Sequence, residues 1–374
     1  MVKILHVHLS GDISGAQRVS LDEMHTLSQE FQQSMVCSKE GRLAEQARCF
    51  GVCTHIIPTL TREISLFKDC ASLFQLYKII KKEKFDIVHT HSSKTGFLGR
   101  VAAKLAGTKK IVHTVHGFAF PSTENKLIKF IYFLMELIAS YCSNIIIVMN
   151  ESDERIARKY FVKNKKSKLL LINNAIDVDK YNKDKDKDKD KDKDKDKDKD
   201  KDIFKIVMVG RLCDQKNPLL LIEAIKDLES NIHVDIIGDG PLKVKLLEKI
   251  KQYNIADKVS FLGWIDAVEE HLYKYDLFVL PSRWEGMPLA MLEAMAAKVP
   301  VLSSDIEANK YLIEKTAGVV FKDEDSKDLK RKINVLHANP ELRNNLAHKA
   351  YQALIEDFDL TKRTKILESL YLNN

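Results

Sequence analysis

The 374 residues carry 60 Lys/Arg against 53 Asp/Glu, a net charge of +7, and are 45 % hydrophobic. Such apolar content excludes global disorder, and the length exceeds what one core serves, so two domains of roughly 180 residues are expected. The charge excess is too mild to imply a nucleic-acid partner.

The opening Met-Val-Lys-Ile-Leu-His-Val reads as a first strand, Ile4–Leu9, and lacks the long apolar region of a signal peptide. The loop after it, Ser10 to Gln17, pairs Ser14 with Gln17 in a capping box that starts a helix. Gly11 and Gly15 let backbone approach a ligand there, and the helix start offers free N–H groups to an anion. The loop is not Gly-x-Gly-x-x-Gly, which argues against a dinucleotide dehydrogenase. Leu21, Met24, Leu27 and Phe31 then recur at helical spacing.

Strands follow at 86–90 and 110–115, the second leading into His116-Gly117. His89, His91, His113 and His116 lack carboxylate or thiolate partners at ligand spacing, so no metal site is expected. Lys126 to Leu134 couples cations to apolar bulk. It reads either as a helix packed on the first core or as one skimming a membrane surface. The apolar stretch 127–139 is interrupted by Lys129 and Glu136 and is short for a bilayer crossing, so no transmembrane anchor is expected. Strands at 145–149 and 169–172 close the first series. The six cysteines form no Cys-x-x-Cys pair and read as reduced thiols, most of them buried, in a cytosolic protein.

Lys183 to Asp202 is ten Lys-Asp pairs. It has no apolar face, so a solvated linker over 181–202 is expected between domains at 1–180 and 203–374, with the last helix free to cross back. The flanks differ in charge. Residues 1–182 hold 26 basic and 17 acidic side chains, net +9, and residues 203–374 hold 24 and 26, net −2. The basic half suits an anionic surface or ligand.

In the second half, strands are read at 205–209, 233–237, 259–262, 277–280, 299–303 and 319–321. Parallel strands alternating with helices give an α/β fold of two Rossmann-like, doubly wound domains facing one another across a cleft. Ligands of such sheets gather at the carboxyl ends of the strands. One such end carries Gly210-Arg211-Leu212, with Lys216 just before a helix that Pro218 begins; two fixed cations at a helix start suit a pyrophosphate. Another carries Glu285-Gly286-Met287-Pro288-Leu289, with Pro288 at the first helical position and Glu293 in the second turn among apolar neighbours. The N–H groups of Met287, Leu289 and Ala290 face phosphate oxygens in this reading. A carboxylate in an apolar helix needs a partner, such as sugar hydroxyls.

Gly-Arg-Leu-x-x-x-Lys, Gly238-Asp-Gly-Pro-Leu242 and Glu-Gly-Met-Pro-Leu-x-x-Leu-Glu-Ala-Met together resemble the retaining nucleotide-sugar glycosyltransferases of family 4, which have the GT-B fold. Thr90 to Gly96, His116-Gly117 and Asn173 to Asp177 extend the likeness over the chain outside the Lys-Asp tract. The resemblance implies that Arg211 and Lys216 hold the donor diphosphate, that Glu293 binds the ribose and that Glu285 binds the donor sugar. It implies that His116 contacts the sugar near its anomeric carbon and that Gly15 approaches the diphosphate. Ser14-Gly15 stands where Gly-Gly is usual, and Asn-Asn-Ala where Asn-Gly is common. The implied reaction moves a sugar from a nucleotide diphosphate, with uridine the expected base, to a lipid-linked or oligosaccharide acceptor in bacterial surface-glycan synthesis. It uses no cofactor and no metal ion, and takes place on the cytoplasmic side, with an anionic inner-membrane surface as a further partner. Two rivals stand beside this reading: another GT-B enzyme, such as a nucleotide-sugar 2-epimerase or a sugar phosphorylase, and a non-catalytic sugar-nucleotide-binding subunit. Release of free product without an acceptor would mark the epimerase, and a cofactor lysine the phosphorylase. Loss of His116 or Glu285 would mark the binding subunit, and both are present.

Overall fold

The computed structural model describes residues 1–121, 123–162, 167–181 and 203–373. The Lys-Asp tract, and with it the expected linker, lies outside the described residues. The chain forms two compact units, Met1–Ala175 with Leu360–Asn374 and Ile176–Asp359.

The first unit is built on seven parallel strands: β1 (Val2–Val7), β2 (Phe31–Cys37), β3 (Cys53–Ile56), β4 (Ile87–His91), β5 (Lys110–Thr114), β6 (Ile145–Val148) and β7 (Lys168–Leu171). Their order is β3-β2-β1-β4-β5-β6-β7. Runs such as Ile145-Ile-Ile-Val are buried throughout, as a sheet covered by helices on both faces requires. The helical spacing read through Phe31 does not hold. Helix α1 (Gly15–Thr26) stops at Leu27, whose backbone is extended (ψ 140°), and Phe31 instead opens β2. There its ring packs with Ile4 and Tyr371 in the core beneath the sheet. The cysteines also depart from expectation. Only Cys37 is buried, whereas Cys49, Cys53 and Cys70 are exposed, because they lie on outer helix faces and on the edge strand β3.

Helices α3 (Leu66–Glu83), α4 (Ser93–Ala106) and α5 (Lys126–Ser140) pack in series. The Asn125 side chain caps α5 by accepting from the N–H groups of Leu127 and Ile128. Glu136 faces inward and accepts from the Arg100 guanidinium at 2.6 Å, with both side chains under 5 % exposed. Removing one partner of such a pair strands a buried charge at a cost of about 3–5 kcal/mol. Glu136→Ala is therefore expected to lower the first unit's melting temperature by several degrees. Calorimetry checks this, and an unchanged transition would refute it. Tyr132, Phe133 and Leu137 of α5 pack against the core around Phe118 and Phe161, but Leu127, Phe130, Leu134 and Ile138 are exposed, as are Leu66 and Phe67 on α3. Packing on the first core thus accounts for only a narrow stripe of α5. No helix of the described residues is long and apolar enough to cross a membrane.

The second unit has six parallel strands: β8 (Phe204–Val209), β9 (Ile232–Ile237), β10 (Val259–Gly263), β11 (Leu277–Leu280), β12 (Val301–Ser304) and β13 (Val319–Phe321), in the order β10-β9-β8-β11-β12-β13. Its core gathers Ile206, Met208, Val234, Ile236, Val279 and Leu302 from the sheet with Leu221, Leu246 and Leu329 from the covering helices.

The unit boundaries differ from those read in the sequence. Ile176 donates to the Phe358 carbonyl at 2.9 Å and bridges to Asp359, so 176–181 go with the second unit. The last helix, α13 (Leu360–Leu372), returns to the first. There Arg363, 3 % exposed, donates to Glu23 at 2.6–2.7 Å and to the carbonyls of Ile172 and Asn173. Leu367 and Tyr371 complete the core beneath the first sheet.

Candidate active site

In the second unit the chain runs outward from β8 to β9 and β10, then returns to the far side of β8 as β11 and continues to β12 and β13. The reversal between β8 and β11 is the switch point at which ligands of open α/β sheets bind. Both loops that leave it were singled out in the sequence. After β8, Gly210 (φ 154°) turns the chain, Arg211 is exposed, and Asn217 in the left-handed region (φ 48°) precedes α7 (Pro218–Ile225), with Pro218 at its first turn. Gly238, after β9, lies so close that a β-carbon there would sit 2.1 Å from the Gly210 carbonyl oxygen, so only glycine fits (φ 137°).

After β11, residues 281–288 lead to a short helix, α9 (Leu289–Ala296). Pro288 is its N-cap, not its first helical residue, because its ψ of 108° is extended. The leading N–H groups of the helix are therefore those of Leu289 and Ala290, while Met287 lies buried in the loop before it.

Hydrogen bonds join the two loops. Arg283 N–H donates to the Gln215 carbonyl at 2.8 Å, Gln215 Nε2 donates to the Trp284 carbonyl at 3.0 Å, and Lys216 Nζ donates to Glu285 Oε1 at 2.6 Å. The last is a salt bridge whose side chains are 17 % and 7 % exposed. Glu293 falls in the second turn of α9, half-buried between the buried Leu292 and Ala294. One sheet edge thus collects Arg211, Lys216, Glu285, Met287, Leu289 and Glu293. Cations beside a helix start and two carboxylates give it the chemistry to hold an anionic group and hydroxyls together.

Gly15 and His116 belong to the first unit. Its sheet reverses between β1 and β4; Gly15 follows β1, and His116 follows β5. Gly15 begins α1, is exposed and faces open space. The expected capping box is not formed: Ser14 Oγ donates to Gln17 Oε1, so neither side chain caps backbone.

His116 stands at the rim of a histidine cluster. His6 on β1, His8 just past its end, and His89 and His91 on β4 are buried, and the His8 and His91 rings stack 4.5 Å apart. Burial holds their imidazoles neutral, with His6 pushed down to about 4 and His8, His89 and His91 well below their usual range. His116 is pushed down to about 3 by burial, aided by the charge of Arg363.

One ring nitrogen each of His6, His89 and His91 lies within 4.8 Å of the others, a set able to hold a metal ion. His89 and His91 already engage both ring nitrogens in hydrogen bonds, His89 with the hydroxyls of Tyr371 and Thr114, while neither nitrogen of His6 has a partner. Sequence reading passed over His6 and His8. Their signal is the alternation His6-Val-His8 matched by His89-Thr-His91, which continues past the end of β1 and stacks the rings on one side of neighbouring strands.

Known proteins match along the chain. Residues 13–180 fit the profile of glycosyltransferase family 4, and residues 188–353 that of glycosyl transferases group 1. The chain is 38 % identical, over its whole length and 97 % of the relative, to a UDP-Gal:alpha-D-GlcNAc-diphosphoundecaprenol alpha-1,3-galactosyltransferase of Escherichia coli. It belongs to glycosyltransferase family 4. It is also 27 % identical, over 85 % of its length and 84 % of the relative, to the capsular polysaccharide biosynthesis glycosyltransferase CapM of Staphylococcus aureus. The crystal structure of HepE of Anabaena in complex with UDP and glucose superposes with a TM-score of 0.83 over 99 % of both chains at 16 % identity. The two sheets are the Rossmann-like domains of a GT-B glycosyltransferase. The protein is an enzyme that transfers glycosyl groups.

Proposed function

We propose that this glycosyltransferase moves galactose from UDP-galactose to the GlcNAc of a diphosphate-linked lipid carrier, with retention at the anomeric carbon. The observation that carries the reading is the Lys216–Glu285 pair at the switch point of the second unit. The likeness to the E. coli galactosyltransferase, spanning both units, names the donor and acceptor.

The sugar C1–O bond to the diphosphate breaks, and its electron pair leaves with UDP. Arg211, Lys216 and the first N–H groups of α9 stabilise that developing charge. The acceptor hydroxyl attacks C1 from the face the diphosphate leaves, and its proton passes to a leaving phosphate oxygen. Glu285 holds the donor sugar's hydroxyls and Glu293 those of the ribose. His116 meets the sugar near C1, and Gly15 gives backbone access to the diphosphate. Fixed cations supply the role of a divalent ion, so no resident metal is needed.

Incubation with UDP-galactose, UDP-glucose or UDP-GlcNAc and a synthetic GlcNAc-diphospholipid should yield a hexose-extended product with the first donor, undiminished by EDTA. Product with another donor alone would redirect the specificity. Loss of turnover in EDTA would refute the metal-free reading, and UDP release without any acceptor product would favour a hydrolase.

The same reaction places the enzyme at the cytoplasmic face of a membrane that carries the acceptor. The exposed apolar residues of α3 and α5, with Lys68 on the first helix and Lys126 and Lys129 on the second, support contact with an anionic bilayer. Phe130→Asp with Phe67→Asp is expected to abolish flotation with phosphatidylglycerol vesicles at low salt while preserving UDP binding. Equal flotation of variant and wild type would move the contact elsewhere.

A further inference from the structure

Four groups of the first unit form a continuous hydrogen-bonded chain that ends on His116. His8 Nε2 lies 3.0 Å from Ser20 Oγ, Ser20 Oγ lies 3.3 Å from His91 Nε2, and His91 Nδ1 lies 3.2 Å from His116 Nε2. His8, Ser20 and His91 are at most 1 % exposed. The other end of the chain, His8 Nδ1, is buried and without a partner. His116 Nδ1 has no hydrogen-bond partner among the described residues.

A neutral imidazole carries one N–H and one bare nitrogen, and a hydroxyl carries one hydrogen. The chain therefore has two consistent arrangements. In one, His8 donates from Nε2 to Ser20, Ser20 donates to His91 Nε2, and His91 donates from Nδ1 to His116 Nε2, which leaves His116 with its hydrogen on Nδ1. In the other, every bond is reversed: His116 Nδ1 is bare and His8 carries its hydrogen on Nδ1. The second arrangement buries an N–H with no acceptor, whereas the first buries only a bare nitrogen. Orphaned buried N–H groups are the rarer and costlier defect, a penalty that weights the first arrangement by roughly tenfold or more.

We propose that His8, Ser20 and His91 are positioning residues that fix the tautomer of His116, so that His116 presents Nδ1–H as a hydrogen-bond donor and does not act as a base. A nucleotide sugar offers oxygen acceptors at both the hexose and the phosphate, so a donor held in this state before binding matches it. The inference deepens the proposed function and rests on its placing of His116 near the transferred sugar, but the tautomer is a property of the unliganded protein.

Long-range 1H–15N correlation spectra of the full chain labelled at histidine, assigned with His116→Gln and His8→Gln, test this directly. The expected result is hydrogen on Nδ1 of His116 and a bare Nδ1 on His8. In His91→Leu, His116 Nε2 loses its partner, so His116 should show a mixture of tautomers and kcat should fall about tenfold at unchanged KM for the donor. In Ser20→Ala, by contrast, a hydrogen on the buried His91 Nε2 would lack an acceptor, and His116 should keep its hydrogen on Nδ1. Hydrogen on Nε2 of wild-type His116 overturns the proposal, as does a His116 signal unmoved in His91→Leu. The wild-type spectrum decides the matter even if a variant does not fold. Should the tautomer be as expected while His116→Gln turns over normally, the role of His116 in the proposed function fails and the relay stands.

Discussion

Lys216→Ala is expected to lower kcat by about 10²–10³-fold and, by leaving the nearly buried Glu285 carboxylate unpaired, to lower the second unit's melting temperature as well. Its ammonium both pairs with a nearly buried carboxylate, at 2.6 Å from Glu285, and sits at the start of a helix at the switch point. In the proposed reaction it faces charge that develops only as the sugar–phosphate bond breaks, so its loss falls on kcat more than on KM. Glu285→Ala should cost a comparable factor, because it removes the sugar's partner and releases Lys216 from its position. A double variant separates chemistry from architecture. If the pair were only structural, Lys216→Met with Glu285→Leu would recover stability and turnover together. The proposed role allows recovery of stability alone. Turnover within threefold of wild type in both single variants would remove these residues from the site.

The second large effect is acid sensitivity confined to the first unit. Free histidine titrates near 6.5, and burial pushes His6 down to about 4. Between those values the unfolded chain binds a proton that the folded chain refuses, so stability is full above about pH 6.5 and falls as pH drops toward 4. From His6 alone the loss approaches about 3 kcal/mol. His8, His89, His91 and His113 shift the same way by burial and add to it. Calorimetry from pH 8 to pH 5 should therefore show one transition moving down steeply while the second unit's transition moves little, and His6→Leu should flatten the steep one. A pH-independent first transition would mean that the cluster takes up protons without opening.

Much of the fold was legible because buried parallel strands leave dense β-branched runs, and Leu277–Leu280 and Val319–Phe321 stand where those runs placed them. Strands β2 and β3 were not legible. Gln32, Gln33 and Ser34 interrupt the apolar run of the first, and the second is an edge strand only half-buried. The candidate site was legible as two loops, since Gly-Arg-Leu with Lys216 and Glu-Gly-Met-Pro each carry their residues within one short segment. What joins them was not: Lys216 and Glu285 are 69 residues apart, and only the strand order makes their loops neighbours. The histidine cluster escaped for the same reason. Its rings come from separate strands, and the serine that links them lies on a helix whose visible signal was its apolar stripe.

The return of α13 makes the second unit an insertion within the first, entered after Ala175 and left before Leu360. A stop codon after residue 359 would spare every residue of the second unit. It would still uncover Glu23 and open the floor beneath Phe31, so the damage would appear in the half farthest away in sequence. Grafting a foreign second unit onto this first one would accordingly require two splice points, with the closing helix kept in place.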